Sequence, residues 1–274
     1  MDELHHRVVG EGQPILLAHG GGEDLSMLTP LADALAASGF RVITYDRRGT
    51  GGSTRAGWPS GGVERHAADA VALLDRLFAI PATMIGFSSG GVVALAVAAL
   101  HPQAVRQVIA WEPAAMAVLP SADELVDTIN APFERHLQLH PGDWVGAYHV
   151  VLDVLSEGRA DHDAPVVKQS ERNAEAMLRD DAHYLVRYRP NTAAMPADRI
   201  TLTLTGGVNP LHREIAEILA AELGRPPVVL SGAEGHEDYL SAPERTAGLL
   251  SGLVNPHGSG PVNVGAQVAG GMRR

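Results

Sequence analysis

The chain has 274 residues, 45% of them hydrophobic and 19% charged, which suits one large soluble domain, or one domain carrying an insertion, and excludes a disordered chain. A net charge of −11 with no basic stripe excludes nucleic acid as a partner. The lack of cysteine excludes disulfide scaffolds, thiolate chemistry and Cys-ligated zinc.

The start, MDELHHRVVG, is polar and has no apolar segment of a signal peptide, so His5 and His6 are expected on a disordered N-terminus. Pro14-Ile15-Leu16-Leu17-Ala18 reads as a buried strand running into His19-Gly20-Gly21-Gly22. Leu25 to Ser38 has helical spacing and stops at Gly39. Arg41 to Tyr45 is the next strand, followed by the turn-rich Asp46-Arg47-Arg48-Gly49-Thr50-Gly51-Gly52-Ser53. Val63 to Leu77 is an amphipathic helix, and Thr83-Met84-Ile85 a short strand. Gly90 to Leu100 is helical and almost wholly apolar, so most of its sides must be buried. Its run from Val92 to Leu100 is the longest apolar stretch and far too short to span a bilayer, which leaves a cytoplasmic protein with no membrane partner as the expectation. Val105 to Trp111 is a further strand.

From Pro113 to Pro196 strand-like runs vanish, and helices punctuated by Pro120, Pro132, Pro141 and Pro165 take over. This reads as a helical insertion. The alternating pattern then resumes with a strand from Ile200 to Leu204, a helix from Leu211 to Leu223, a strand from Pro227 to Leu230 and a helix from about Pro243 to Leu253. The expected organisation is a core of residues 1–112 and 197–254, a cap of 113–196, and a loose tail of 255–274 with linker composition.

Chemistry points first to Gly86-Phe87-Ser88-Ser89-Gly90. It fits G-x-S-x-G, with the strand before and the helix after that such a nucleophile turn needs. A small-residue packing turn is the plainer alternative. A nucleophilic Ser88 requires donors for a developing oxyanion, and the amides of Ser89, at a helix start, and Gly21, in the earlier glycine loop, are the candidates. Its base should follow the last strand, where Gly235-His236-Glu237 lies; His136, His140, His149 and His183 read as solvent-facing residues of the insertion. No metal-ligand spacing and no phosphate-cradling glycine loop occurs.

Together these residues resemble the α/β-hydrolase fold family with a helical cap, over about residues 7 to 254. HGGG, YDRRGTGGS, GFSSGG, WEP and GHEDYLSAPE fall in the family's order. The resemblance implies a mostly parallel central sheet with helices on both faces, and a cap inserted after the strand that the family counts sixth. Most members carry the orienting acid as an Asp after the seventh strand, and here Asn209 stands in that place, in Thr205-Gly206-Gly207-Val208-Asn209-Pro210. Some relatives, haloalkane dehalogenases among them, carry the acid at the end of the sixth strand, where Glu112 lies. Either Glu112 has taken the acid's role, with Asn209 a poorer orienting group or a substrate contact, or the triad is incomplete and the protein binds or transforms something without acyl-enzyme hydrolysis. The plainer alternative for Glu112 is a structural carboxylate at the entry to the cap. Dehalogenase and epoxide hydrolase activities do not carry over, because the nucleophile is Ser.

The expectation is a serine hydrolase of a carboxylic ester or lactone of a small to medium, largely apolar molecule. Ser88, His236 and Glu112 would be catalytic, Gly21 and Ser89 the oxyanion hole, and Gly20, Phe87, Trp144 and Tyr148 the substrate pocket. Asp46 and Arg48 read as structural. No cofactor and no partner beyond the substrate are expected, for a monomer or homodimer. Two alternatives stand beside it: cofactor-free C–C cleavage, elimination or cyclisation, and a ligand-binding protein with a vestigial triad.

Overall fold

The computed structural model describes residues 4–255. Its sheet has seven strands among these residues: β1 (His6–Val9), β2 (Gln13–Ala18), β3 (Phe40–Tyr45), β4 (Ala82–Phe87), β5 (Val105–Trp111), β6 (Ile200–Thr205) and β7 (Val228–Leu230), in the spatial order β1-β3-β2-β4-β5-β6-β7. All neighbours are parallel except β1 and β3. The strand that the family counts sixth is therefore β5 here, and the helical insertion follows it.

Because side chains alternate along a strand, β2, β4 and β5 feed two cores. Leu16, Ala18, Met84, Val108 and Ala110 face a core built with helices α2 (Gly62–Arg76), α3 (Ser89–Leu100) and α8 (Pro210–Leu223). Ile15, Leu17, Ile85, Phe87, Ile109 and Trp111 face the other, with α1 (Thr29–Ala37) and α10 (Pro243–Val254). The parallel strands are apolar on both faces because both are covered, which is why they read as continuous apolar runs. Among the described residues no helix is long and apolar enough to cross a membrane.

Two expectations fail at the N-terminus. Residues 6–9 form an edge strand, and His5 is ordered: its Nδ1 lies 2.7 Å from Asp46 Oδ2, and its amide donates to Ser53 Oγ at 2.9 Å. A four-residue edge strand carries too few apolar positions to register as a period, so its pairing with β3 comes from tertiary context.

Between β5 and β6 lie α4 (Ala122–Leu139), α5 (Trp144–Leu155), α6 (Pro165–Ser170), α7 (Ala174–Ala176) and a π-helix, Met177–Leu185. Pro132, expected as punctuation, sits inside α4. The apolar face that buries Val126 and Phe133 outweighs the roughly 3 kcal/mol that an interior proline costs. These helices share a small core of their own, made of Phe133, Ala147, Tyr148, Val151, Ala174 and Leu178. From 256 on, the expected tail lies outside the described residues.

Candidate active site

The motif residues gather at the carboxyl ends of β2, β4 and β5 and in the loop after β7, where α/β sheets present ligands. Ser88 joins β4 to α3 with φ 52° and ψ −117°, a conformation that costs a non-glycine residue energy and is held by its surroundings. Its amide donates to the Trp111 carbonyl at 3.0 Å, and its carbonyl accepts from Gly91 and Ala114. The flanking glycines have a steric reason: a methyl on Gly86 would collide with the Gly90 carbonyl, and one on Gly90 with the carbonyls of Ala18 and His19. Ser88 remains partly exposed, while Ser89 is buried as the first residue of α3, where the leading amides lack intrahelical acceptors.

Glu112 directly follows β5, with φ 40°, and is fully buried. One oxygen, Oε1, accepts from the amide of Thr205 at 2.7 Å and from its hydroxyl at 2.6 Å; the other, Oε2, lies 2.7 Å from His236 Nδ1. Burial by itself would raise this carboxyl, but the bonds from His236 and Thr205 outweigh it and hold the group below the ordinary carboxylate range. An ionised Glu112 can only accept, so the His236 proton sits on Nδ1 and Nε2 is left as the basic nitrogen. Trp111 Nε1 donates to the His236 carbonyl at 3.0 Å and fixes the loop from behind.

The side chain that holds His236 Nδ1 is Glu112, and Asn209 is engaged at the start of α8. Its Oδ1 caps α8, accepting from the His212 amide at 2.9 Å and lying 3.1 Å from His212 Nδ1. The signal for this is in the sequence: Asn followed by Pro is a helix N-cap followed by a first-turn proline. His212, which sequence reasoning missed, stacks on the His236 ring at 4.5 Å and 23°. Burial, followed by the neighbouring His236, pushes its pKa down to about 3, so it packs as a neutral ring.

Two residues expected in the substrate pocket belong elsewhere. Phe87 is fully buried beneath the sheet end, stacked on Tyr239 at 4.1 Å, because its place on β4 faces the α1/α10 core. Gly20 is also buried, its amide donating to Glu23 Oε2 at 2.9 Å and its carbonyl accepting from Arg47 Nη2 at 3.1 Å. Gly21 and Gly22 lie beneath the inserted helices: Met177 and Asp181 stand over Gly21, and Met177, Ser170 and Tyr148 over Gly22. Trp144, half-buried, packs among the inserted helices with the Arg179 guanidinium 6.0 Å from its ring.

A buried guanidinium ties this roof to the loop. Arg47 Nη2 reaches Asp181 Oδ1 at 2.8 Å, the Gly20 carbonyl, and Ser89 Oγ at 3.4 Å. His19 is a buried strut: burial, then Arg47, holds its pKa well down, its Nε2 accepts from the Arg47 amide, and its Nδ1 donates to the Gly20 carbonyl. Among the described residues, Glu112, His212 and His236 have donor atoms close enough together to hold a metal ion. They fit one poorly, since the near-parallel stack sets the in-plane lone pairs of the two rings side by side and Thr205 already holds one Glu112 oxygen.

The model of the alpha/beta hydrolase fold matches residues 13–144. An uncharacterized hydrolase of Bacillus subtilis, YraK, is 40% identical over 117 residues, 42% of this chain and 43% of YraK. Serine hydrolase BPHL of Mus musculus is 33% identical over 112 residues, 39% of this chain and 38% of that one. These alignments span less than half the length of either relative. Over the whole fold, an esterase from Exiguobacterium antarcticum superposes with a TM-score of 0.72 at 19% identity, covering 93% of this chain and 96% of that one. The chain has the α/β-hydrolase fold.

Proposed function

We propose that the protein is a serine hydrolase that cleaves the carboxylic ester or lactone of a small to medium, largely apolar molecule through an acyl-enzyme. The observation that carries this reading is the 2.7 Å bond between His236 and a fully buried Glu112, at the end of the strand next to the one that delivers Ser88.

Ser88 Oγ attacks the carbonyl carbon while His236 Nε2 takes its proton. Glu112 stabilises the imidazolium that forms and keeps the ring in the productive tautomer. The amides of Gly21 and Ser89 hold the oxyanion, the latter with the help of the α3 dipole. His236 then protonates the departing alcohol, and water repeats the sequence on the acyl-enzyme. Met177 and Tyr148 over the glycine loop supply apolar surface for the acyl or alcohol part. BPHL, a serine hydrolase, and the Exiguobacterium esterase are similar proteins of this reaction class. The non-hydrolytic alternative rested on Asn209, which is engaged in capping α8, so hydrolysis is the reading retained.

Turnover of p-nitrophenyl acetate and butyrate tests it. Ser88→Ala and Glu112→Gln should each lower kcat by about 10³- to 10⁴-fold, as loss of a triad member does elsewhere. Asn209→Asp should stay within about threefold of wild type, since an Asp caps the helix equally well. An inert wild type, or activity gained only with Asn209→Asp, would sink the proposal.

A further inference from the structure

Glu23 follows the glycine loop, and no part of the triad chemistry uses it. It is 6% exposed, and both oxygens are engaged: Oε2 accepts the Gly20 amide at 2.9 Å and Oε1 the Tyr239 hydroxyl at 2.5 Å. Tyr239 lies three residues after His236, the second residue of α9 (Asp238–Ser241), and is 1% exposed. Its ring stacks on Phe87 at 4.1 Å, one residue before Ser88, and meets Trp111, one residue before Glu112, at 6.1 Å. One carboxyl–phenol pair thus touches the glycine loop directly and the neighbours of Ser88, Glu112 and His236 in sequence.

The direction of the Gly20 bond gives the pair a job. The Gly20 N–H belongs to the His19–Gly20 peptide, which its bond to Glu23 fixes, and the next peptide, which carries the Gly21 N–H, hinges on that fixed plane and is held at its own carbonyl by Arg47 and His19. A methyl on Gly20 would press on the Glu23 carboxyl and the Tyr239 oxygen, so this close approach needs the glycine. We propose that Glu23 and Tyr239 are positioning residues that set the glycine loop against the nucleophile turn and the His236 loop, so that the Gly21 amide meets the oxyanion. This inference rests on the serine-hydrolase reading for its effect on catalysis, though not for its effect on the loops.

The charge around the pair adds a pH dependence. Burial, against the bonds from Tyr239 and Gly20, lifts the Glu23 pKa to about 7. The titratable groups facing it are Tyr239 and His236 (His236 favouring the carboxylate), Glu237 opposing it, and Tyr148 from α5. Burial and Glu23 itself keep the Tyr239 phenol neutral throughout the working range. Protonation of Glu23 leaves a weaker acceptor for the Gly20 amide, and the loop loosens as pH falls below neutrality.

Two readouts on the full chain separate this inference from the reading beneath it. Hydrogen exchange, which needs no turnover, should report faster exchange at Gly20 to Gly22 in both Glu23→Ala and Tyr239→Phe. Glu23→Gln, which keeps an acceptor for Gly20, should restore wild-type protection and remove its pH dependence near neutrality. With p-nitrophenyl butyrate, Glu23→Ala should lower kcat about 10- to 100-fold with KM within about threefold, as a misplaced catalytic group does. Glu23→Gln should recover most of that loss, and the double variant Glu23→Ala/Tyr239→Phe should fall no further than Glu23→Ala alone. Unchanged loop exchange in Glu23→Ala and Tyr239→Phe overturns the positioning role whether or not esters turn over. Faster exchange with kcat unaltered overturns its catalytic part. A wild type inert toward esters, with loop exchange altered as expected, counts against the hydrolase reading and supports the positioning role.

Discussion

At the scale of single residues, the site is organised by carboxyls whose surroundings push them in opposite directions. Glu112 is fully buried yet held in its charged form by three donors, whereas Glu23 is buried against two donors and lifted to about 7. The consequence for stability follows from linkage. A group whose folded pKa lies above its unfolded value binds more protons when folded, so its contribution is full below about pH 4.5 and disappears as pH rises through about 7. A rise of some two and a half pH units corresponds to about 3 kcal/mol. Urea unfolding at pH 5 and pH 8 checks this: the stability of wild type relative to Glu23→Gln should fall by an amount on the order of 3 kcal/mol between the two. A difference independent of pH would mean that Glu23 titrates like an exposed carboxylate.

At the scale of elements, the nucleophile turn depends on how closely α3 can approach the sheet. Gly90 faces the carbonyls of Ala18 and His19 at the end of β2, and those backbone atoms belong to a parallel strand paired on both sides and cannot yield as a flexible side chain would. Gly90→Ala should therefore destabilise the fold by about 3 kcal/mol and displace Ser88, read as a lower urea midpoint and loss of esterase turnover together. Glycine there is legible in the sequence, because the motif around Ser88 demands it. Most long elements are legible for the same kind of reason: the apolar periods of α2, α8 and α10, the wholly apolar α3 and the runs of β2, β4 and β5 agree with where these segments pack. Signals fail where they are short or non-local. The edge strand β1 has four residues, the π-helix at Met177–Leu185 has no sequence period of its own, and the Glu23–Tyr239 pair spans 216 positions. Asn209 is a different case. Its sequence carries both a cap signal, Asn before Pro, and the family position of an acid, and the cap is what the fold uses.

At the scale of the whole molecule, the inserted helices and the sheet domain meet through a shared apolar face and through buried polar contacts. Phe133, Ala147, Tyr148 and Val151 make a small core of their own, whereas Val126 of α4, Leu185 of the π-helix and Met116 and Leu119 before α4 join one of the sheet's cores. Arg47 reaches Asp181, His66 Nε2 lies 2.6 Å from Asp180 Oδ2, Trp58 Nε1 donates to the same oxygen, and Asp24 accepts from Asn173 and Arg172. Such contacts are specific in direction and costly to halve. Asp181→Ala leaves the Arg47 guanidinium buried without the carboxylate it reaches, which should cost about 3 to 5 kcal/mol. Removing both charges, as Arg47→Met with Asp181→Leu, should cost less than the single change because no buried charge is left uncompensated. If the contact holds the roof over the glycine loop, the single variant should be cleaved by thermolysin within residues 140–190 before the sheet domain, and the double variant should resist. Equal sensitivity in both would mean that the roof is held by its remaining contacts and that Arg47 serves the glycine loop alone.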